Sequence, residues 1–272
     1  MQFFEKINTN FKKIIFIALK LGKKIAPRHI IIAVCALVAI ISAIFIILYN
    51  RPDESIDRIK DVASITNDDT SSDSLDSAVD IPVNFEELQK VNSDIYAWIT
   101  IPGTSVDCPI LRSEIEDFYL THNVEKKESA YGSLYTQNYN SDDFNDFNTV
   151  IYGHNMINGT MFGDLDKYRK ESFFNENQTI YIYLPNRVLT YRIFAAYVYD
   201  STHILLNYTL TNVAQRVEYI NDIYSEKYNG NIRKDMRVTA SDRLITLSTC
   251  NSNIAERYLV QAVLINDTDK EG

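Results

Sequence analysis

The sequence predicts a mainly-β domain: a closed or nearly closed barrel of about eight strands with peripheral helices, preceded by one transmembrane helix. Three observations lead there. Eight short runs have strand character and are punctuated by Gly, Pro, Asn or Asp. Only two sustained helical patterns interrupt that series, and many short strands with few helices fit a barrel better than a layered α/β fold. Apart from the rest stands a run of twenty uncharged, mostly apolar residues, Ile30 to Tyr49.

At about 1.5 Å rise per residue, a helix over Ile30–Tyr49 covers the roughly 30 Å hydrocarbon core of a bilayer. A cleaved signal peptide is the competing reading. Its apolar region usually runs to roughly 7–15 residues and ends at a small-residue cleavage site, and neither condition is met here. Lys6, Lys12, Lys13, Lys20, Lys23, Lys24 and Arg28 precede the run, against the single acid Glu5. Positive flanks stay in the cytoplasm, so the N-terminus is expected inside and everything after Tyr49 outside. Residues 1–50 carry a net +6; because the whole chain carries −9, the outer part carries −15. So acidic a surface argues against nucleic acid as a partner, whose phosphates require a basic footprint. The earlier stretch Phe11 to Leu21 is too short and too charged to span, and reads either as an amphipathic piece on the inner leaflet or as a plain basic flank.

Four regions follow: a cytoplasmic basic N-terminus (1–29), the membrane helix (30–49), a flexible acidic linker (50–83) and an extracellular domain (84–272). The linker is rich in Asp and Ser and shows no sustained period, so it lacks the apolar surface needed to offset its ordering entropy. About 30 residues of such chain reach about 30 Å, which places the domain off the membrane surface.

Order is expected from Asn84, where Asn84-Phe85-Glu86-Glu87 fits a helix N-cap with Glu at the third helical position and a short helix through Val91. Strands are expected at Ala97–Ile101, Val106–Leu111, Gly132–Tyr135, Thr149–Tyr152, Thr179–Leu184, Leu189–Tyr199, Arg243–Ser248 and Tyr258–Ile265. The two helical patterns are Met161–Tyr168 and Thr211–Lys227, the latter from the spacing of Val213, Val217, Ile220, Ile223 and Tyr224. The eighteen tyrosines read as amphipathic filling of strand faces in preference to a carbohydrate platform.

Three cysteines are present. Cys35 falls in the membrane run as a small apolar residue. Outside lie Cys108 and Cys250, too few for a disulfide-stapled domain, although a single bridge between them stays open. Cys250 ends an alternating run (Leu244, Thr246 and Ser248 against Ile245, Leu247 and Thr249), and a six-residue polar loop separates it from Arg257, which opens the next strand. Antiparallel pairing would bring thiol and guanidinium together across the loop mouth. A partly exposed thiol in an electropositive spot is a nucleophile rather than a core residue. Of the four histidines, His29 lies on the inner side, and His122 and His203 stand in turn-like contexts that read as structural. His154 follows a β-branched strand and Gly153, which sets an imidazole at a strand end as well.

Thr246-Leu247-Ser248-Thr249-Cys250 followed by Arg257, with Tyr152-Gly153-His154-Asn155 upstream, resembles the signature of the sortase family, and the chain is most similar to class B. The likeness runs from about Phe85 to Ile265. It includes Ala97-Trp98-Ile99, Ile101-Pro102-Gly103-Thr104, Gly132-Ser133-Leu134 and Met161-Phe162, together with a helix ahead of the catalytic strand.

That resemblance implies a sortase-like barrel and a membrane-anchored cysteine transpeptidase. The implied catalytic residues are Cys250 as nucleophile, His154 as proton donor and acceptor, and Arg257 as the group that holds the substrate carbonyl or the oxyanion. The implied partners are secreted proteins bearing a C-terminal sorting signal, LPXTG- or NPXTN-like and cleaved after Thr, and an amino group of a lipid II-like peptidoglycan precursor. Pilus assembly is the alternative, and a non-catalytic surface receptor a more distant one. No cofactor is implied, and no close His/Cys ligand spacing suggests a metal.

Overall fold

A computed structural model describes residues 27–49, 54–64, 81–202, 204–225, 227–250 and 255–269. The chain divides into two units, residues 1–52 and 53–272. The first holds α1, Pro27–Tyr49, a 23-residue helix. Its side chains are described from 31 to 44 only, and among the described residues no helix is long and apolar enough to cross a membrane.

The second unit opens with α2, Glu54–Ala63. These residues fall in the stretch expected to be a flexible linker, and here they are helical. The spacing of Ser55, Ile59 and Ala63 sets three small or apolar residues on one helix face, and all three are buried. Ile59 and Ala63 pack with Phe85, Leu88, Trp98 and Leu111, so the stripe finds a partner that local composition does not reveal. Arg58 adds paired bonds to Glu125 Oε1 at 3.0 and 2.8 Å. The remainder of the expected linker through residue 80 lies outside the described residues. The helix α3, Phe85–Val91, starts at its expected cap, with Asn84 Oδ1 accepting from the Glu87 amide at 3.2 Å.

Nine strands follow among the described residues: β1 (Ile95–Thr100), β2 (Asp107–Arg112), β3 (Leu134–Thr136), β4 (Asn148–Gly153), β5 (Thr179–Tyr183), β6 (Arg187–Asp200), β7 (Gly230–Ile232), β8 (Leu244–Cys250) and β9 (Glu256–Asp269). They form the order β5-β1-β2-β3-β4-β8-β9-β6-β7, and an extra β5–β6 pairing closes eight of them into a ring. β7 is an addition on the far half of β6, where Tyr197 pairs with Gly230. Two neighbouring pairs, β2–β3 and β4–β8, are parallel; the others are antiparallel.

Strand alternation divides the packing in two. Ile151, Ile245, Leu247, Tyr258 and Val260 share the main cluster with Ile99, Ile110 and Ile182 from other strands of the ring. The opposite faces of β6, β8 and β9 give Tyr197, Leu244 and Leu259 to a second cluster. That cluster is covered by α6, Val213–Tyr224, which follows the short helices α4 (Glu171–Glu176) and α5 (Ile204–Asn207). The covering face of α6 keeps Ile220 and Ile223 of the expected stripe and adds Tyr219, while Val213 and Val217 of that stripe are exposed. The helix expected over Met161–Tyr168 is a 3₁₀ segment, Gly163–Arg169. Six tyrosines are among the largest fully buried side chains: Tyr191, Tyr197 and Tyr258 fill strand faces as expected, whereas Tyr119, Tyr168 and Tyr219 come from helical segments.

Candidate active site

Strands β4, β8 and β9 are consecutive neighbours in the ring. The parallel β4–β8 register pairs Gly153 with Thr249, so His154 and Cys250, each one residue further, leave their strands at the same rim. The antiparallel β8–β9 register pairs Cys250 with Arg257 at that rim. Neighbouring strands lie roughly 4.8 Å apart, so the three backbones fall within about 10 Å. Position 250 is fixed by this backbone pairing; residues 251–254 lie outside the described ones. His154 is two residues beyond Tyr152, and Cys250 two beyond Ser248. Both Tyr152 and Ser248 line a cavity of about 210 Å³ that His154, Thr249 and Arg257 line as well.

The backbone at Gly153 passes so near its neighbours that any Cβ would collide with Leu134 Cδ2 and come within 2.7 Å of Phe162 Cδ2. Glycine is therefore needed there for close packing, and it sets the direction in which His154 leaves the strand. The His154 carbonyl accepts from Phe162 N at 2.9 Å, closing the loop that follows. His154 Nε2 lies 2.7 Å from the Leu120 carbonyl oxygen. A carbonyl only accepts, so Nε2 carries the hydrogen and Nδ1 is the nitrogen left for proton exchange.

Arg257 donates from Nη1 to the Glu256 carbonyl at 3.0 Å, and its residue pairs across β6 with Tyr199, another cavity wall. Burial pushes the Tyr152 phenol up from its ordinary pKa, while the nearby Arg257 charge pulls it the other way. Tyr152 Oη is bonded to Tyr139 Oη at 2.8 Å. The facing wall comes from the turn at 116–120, where Asp117 sits in the left-handed region at φ 54°. It accepts from Tyr135 Oη at 2.8 Å and Gln137 Nε2 at 2.6 Å. Sequence reading missed Glu116, Asp117, Leu120, Tyr135, Gln137 and Tyr199 as cavity-lining residues. Their roles come from pairings distant in sequence, and only the run of acids around position 116 offered a signal.

The other titratable candidates are elsewhere. His122 stacks on Phe118 at 4.0 Å and its Nδ1 is 2.8 Å from Phe118 O, a structural role. His203 lies outside the described residues. Cys108 is free and buried on β2, so the bridge to Cys250 does not form. Desolvation pushes its thiol up to about 12, which makes it inert at neutral pH. Among the described residues no group of three or more His, Cys, Asp or Glu could hold a metal ion.

A family model described as the sortase domain matches residues 99–265. The chain is 34% identical over 166 residues to sortase B of Listeria monocytogenes, covering 61% of this chain and 66% of that protein. It is 32% identical over 184 residues to sortase B of Staphylococcus aureus, covering 66% and 74%. Among solved structures, a Staphylococcus aureus sortase B–substrate complex superposes with a TM-score of 0.61 at 29% identity, covering 67% of this chain and 84% of that one. A Streptococcus pyogenes class B sortase involved in pilus biogenesis gives 0.60 at 31%, covering 67% and 98%.

Proposed function

Since the chain belongs to the sortase family, whose members are cysteine transpeptidases, with class B proteins among its relatives, we propose that it cleaves a C-terminal sorting signal and joins the product to an amine. The observation that carries this reading is the convergence of His154, Cys250 and Arg257 on one rim through two backbone registers. In the first half-reaction the Cys250 thiolate attacks the carbonyl of the signal's Thr. The C–N bond breaks, His154 gives a proton to the leaving amine, and a thioester remains. In the second, an incoming amine attacks that thioester, His154 takes its proton, and Cys250 departs as thiolate. Arg257 supplies fixed positive charge for the oxyanion formed in each step.

The signal is proposed to be LPXTG- or NPXTN-like, and the acceptor an amino group of a lipid II-like cell wall precursor. Anchoring by one membrane-spanning helix, with the N-terminus cytoplasmic and the catalytic domain outside, is part of the same proposal. It is supported by the uncharged run Ile30–Tyr49, its lysine-rich flank and the helical backbone of α1. A pilin amine as acceptor is the second reading, favoured by the likeness to the Streptococcus pyogenes protein.

The test is cleavage of a panel of LPXTG- and NPXTN-like peptides by the wild type and by Cys250→Ala, with and without an added amine. The wild type should cleave at least one signal and form the amide product, and the variant should do neither. Equal turnover by both proteins would refute the assignment.

A further inference from the structure

A second cavity, of about 590 Å³, lies beside the catalytic one and is nearly three times its volume. The two share Glu116 as a lining residue. They also share their walls. Tyr199, Ser201, Thr202 and Ile204 line the catalytic cavity, and further along the chain Leu205, Tyr208, Thr209, Leu210 and Thr211 line the second one. On the other side Tyr135 and Gln137 give way to Tyr139 and the loop that leads to Phe147, and the Tyr139–Tyr152 hydroxyl contact marks the junction. Strand β4 runs beneath both, with Asn148 at the second cavity and Tyr152, Gly153 and His154 at the first.

From Asn148 to Gly153 is five residues, or about 17 Å at roughly 3.3 Å per residue. An extended peptide laid along this cleft from the catalytic rim therefore reaches the second cavity about five residues from the bond that is cut. The segment upstream of that bond is the one that stays attached through the thioester, whereas the downstream piece leaves after the first step. The exposed surface of the lining is mostly apolar, from Phe147, Leu205, Tyr208 and Leu210, with Glu116, Asp146 and three asparagines among its polar members. Its one guanidinium is already committed: Arg216 donates to the Leu210 carbonyl at 2.6 Å and the Ala240 carbonyl at 3.2 Å, and stacks over Phe147 at 4.8 Å.

We propose that this cavity receives a large apolar or aromatic side chain located about five residues before the scissile bond, so that the enzyme selects its substrates partly outside the sorting pentapeptide. The proposal rests on the transpeptidase reading above and adds a specificity site to it.

The test uses the full-length protein in detergent and two peptides that carry the same cleaved signal. One has Trp and the other Gly at the fifth and sixth positions before the cut. The Trp peptide should show about a tenfold lower KM at unchanged kcat, the range expected when an apolar pocket is filled. Thr209 is exposed on the cavity rim. Thr209→Trp should fill the space and remove the advantage, so that within the variant the Trp and Gly peptides have equal KM values; Thr211→Trp serves as a second filling variant. Equal KM values in the wild type, or a preference that survives both fillings, overturns the specificity site while the transpeptidase reading stands. Unchanged cleavage with slowed aminolysis in Thr209→Trp would assign the cavity to the amine acceptor and equally overturn it. Failure of the wild type to cleave either peptide, or any signal in the panel, would bring down the parent reading itself.

Discussion

Strands β4, β8 and β9 each contribute polar residues at two levels, and the two levels behave differently. At the lower level Asn148, Thr246 and Gln261 are fully buried and bonded to one another. Thr246 donates to Asn148 Oδ1 at 2.8 Å, and Gln261 Nε2 donates to Thr246 Oγ1 at 2.8 Å. Gln261 is also bonded to Tyr219 and accepts from Tyr197 Oη at 3.1 Å. About 13–20 Å further along, at the strand ends, His154 and Arg257 border an open cavity beside position 250. Polar side chains thus serve opposite ends: a buried, hydrogen-bonded network ties three strands together, and the strand ends beyond it border an open cavity.

The largest expected effects lie at the rim and should leave stability alone. Cys250→Ala removes the nucleophile and should lower peptide cleavage to the limit of detection in a fluorogenic assay, with an unchanged thermal midpoint. His154→Ala should cost about 10²–10⁴-fold and Arg257→Ala about 10²–10³-fold in kcat/KM. At the buried level the pattern should invert. Gln261→Ala strands the partners on Thr246, Tyr219 and Tyr197 and should destabilise the domain by about 2–4 kcal/mol in urea unfolding, while activity per folded molecule holds. Equal losses of stability at both levels would erase the distinction.

Gly153→Ala links the two levels. Its Cβ would overlap Leu134 and Phe162, so about 1–3 kcal/mol of stability should go, together with activity, because the overlap displaces the residue before His154. Thiol mapping sharpens the contrast further. Cys108, pushed up to about 12, should resist iodoacetamide at pH 8 in the folded protein while Cys250 is alkylated.

The smallest effect belongs to the far end of β9. Burial pushes the Asp267 carboxyl up, but the guanidiniums of Arg187 and Arg243, at 2.7 and 2.6 Å, outweigh it and hold the pKa below the usual range. An acid depressed in this way adds stability above its unfolded pKa of about 3.9 and loses it as the pH falls through the folded value. Asp267→Asn should therefore cost about 0.5–1 kcal/mol at pH 7, and the difference from wild type should vanish once the pH has fallen through the folded value. A constant difference across that range would show that the ion pairs are not its source.

The strand runs were legible because alternation and turn residues are local signals, and every expected strand has a counterpart within a few residues. The convergence of positions 154, 250 and 257 on one rim was legible for a similar reason, since Thr246–Cys250, Arg257 and Gly153-His154 are short motifs at strand ends. The helix α2 was missed because Ile56, Ile59, Val62 and Ala63 span barely two turns, too short a run to stand out as a period in an Asp- and Ser-rich stretch. At α6 the opposite error arose: Val213 and Val217 have the spacing of a core stripe, yet the face that packs carries Tyr219, whose hydroxyl completes the buried network. β7 has three residues and no pattern of its own, and exists only because β6 offers it an edge. The wall formed by Glu116 and Asp117 depends on side-chain contacts with β3 and the residue after it, which no local reading supplies.

The most direct test is to trap the acyl intermediate. Full-length protein mixed with a cleavable signal peptide, quenched in acid and digested, should give one new covalent adduct on the fragment containing Cys250. Its mass should equal that of the peptide through Thr less one water, and hydroxylamine should remove it. An adduct on another residue, or turnover of the peptide with Cys250 unmodified throughout, would contradict the assignment.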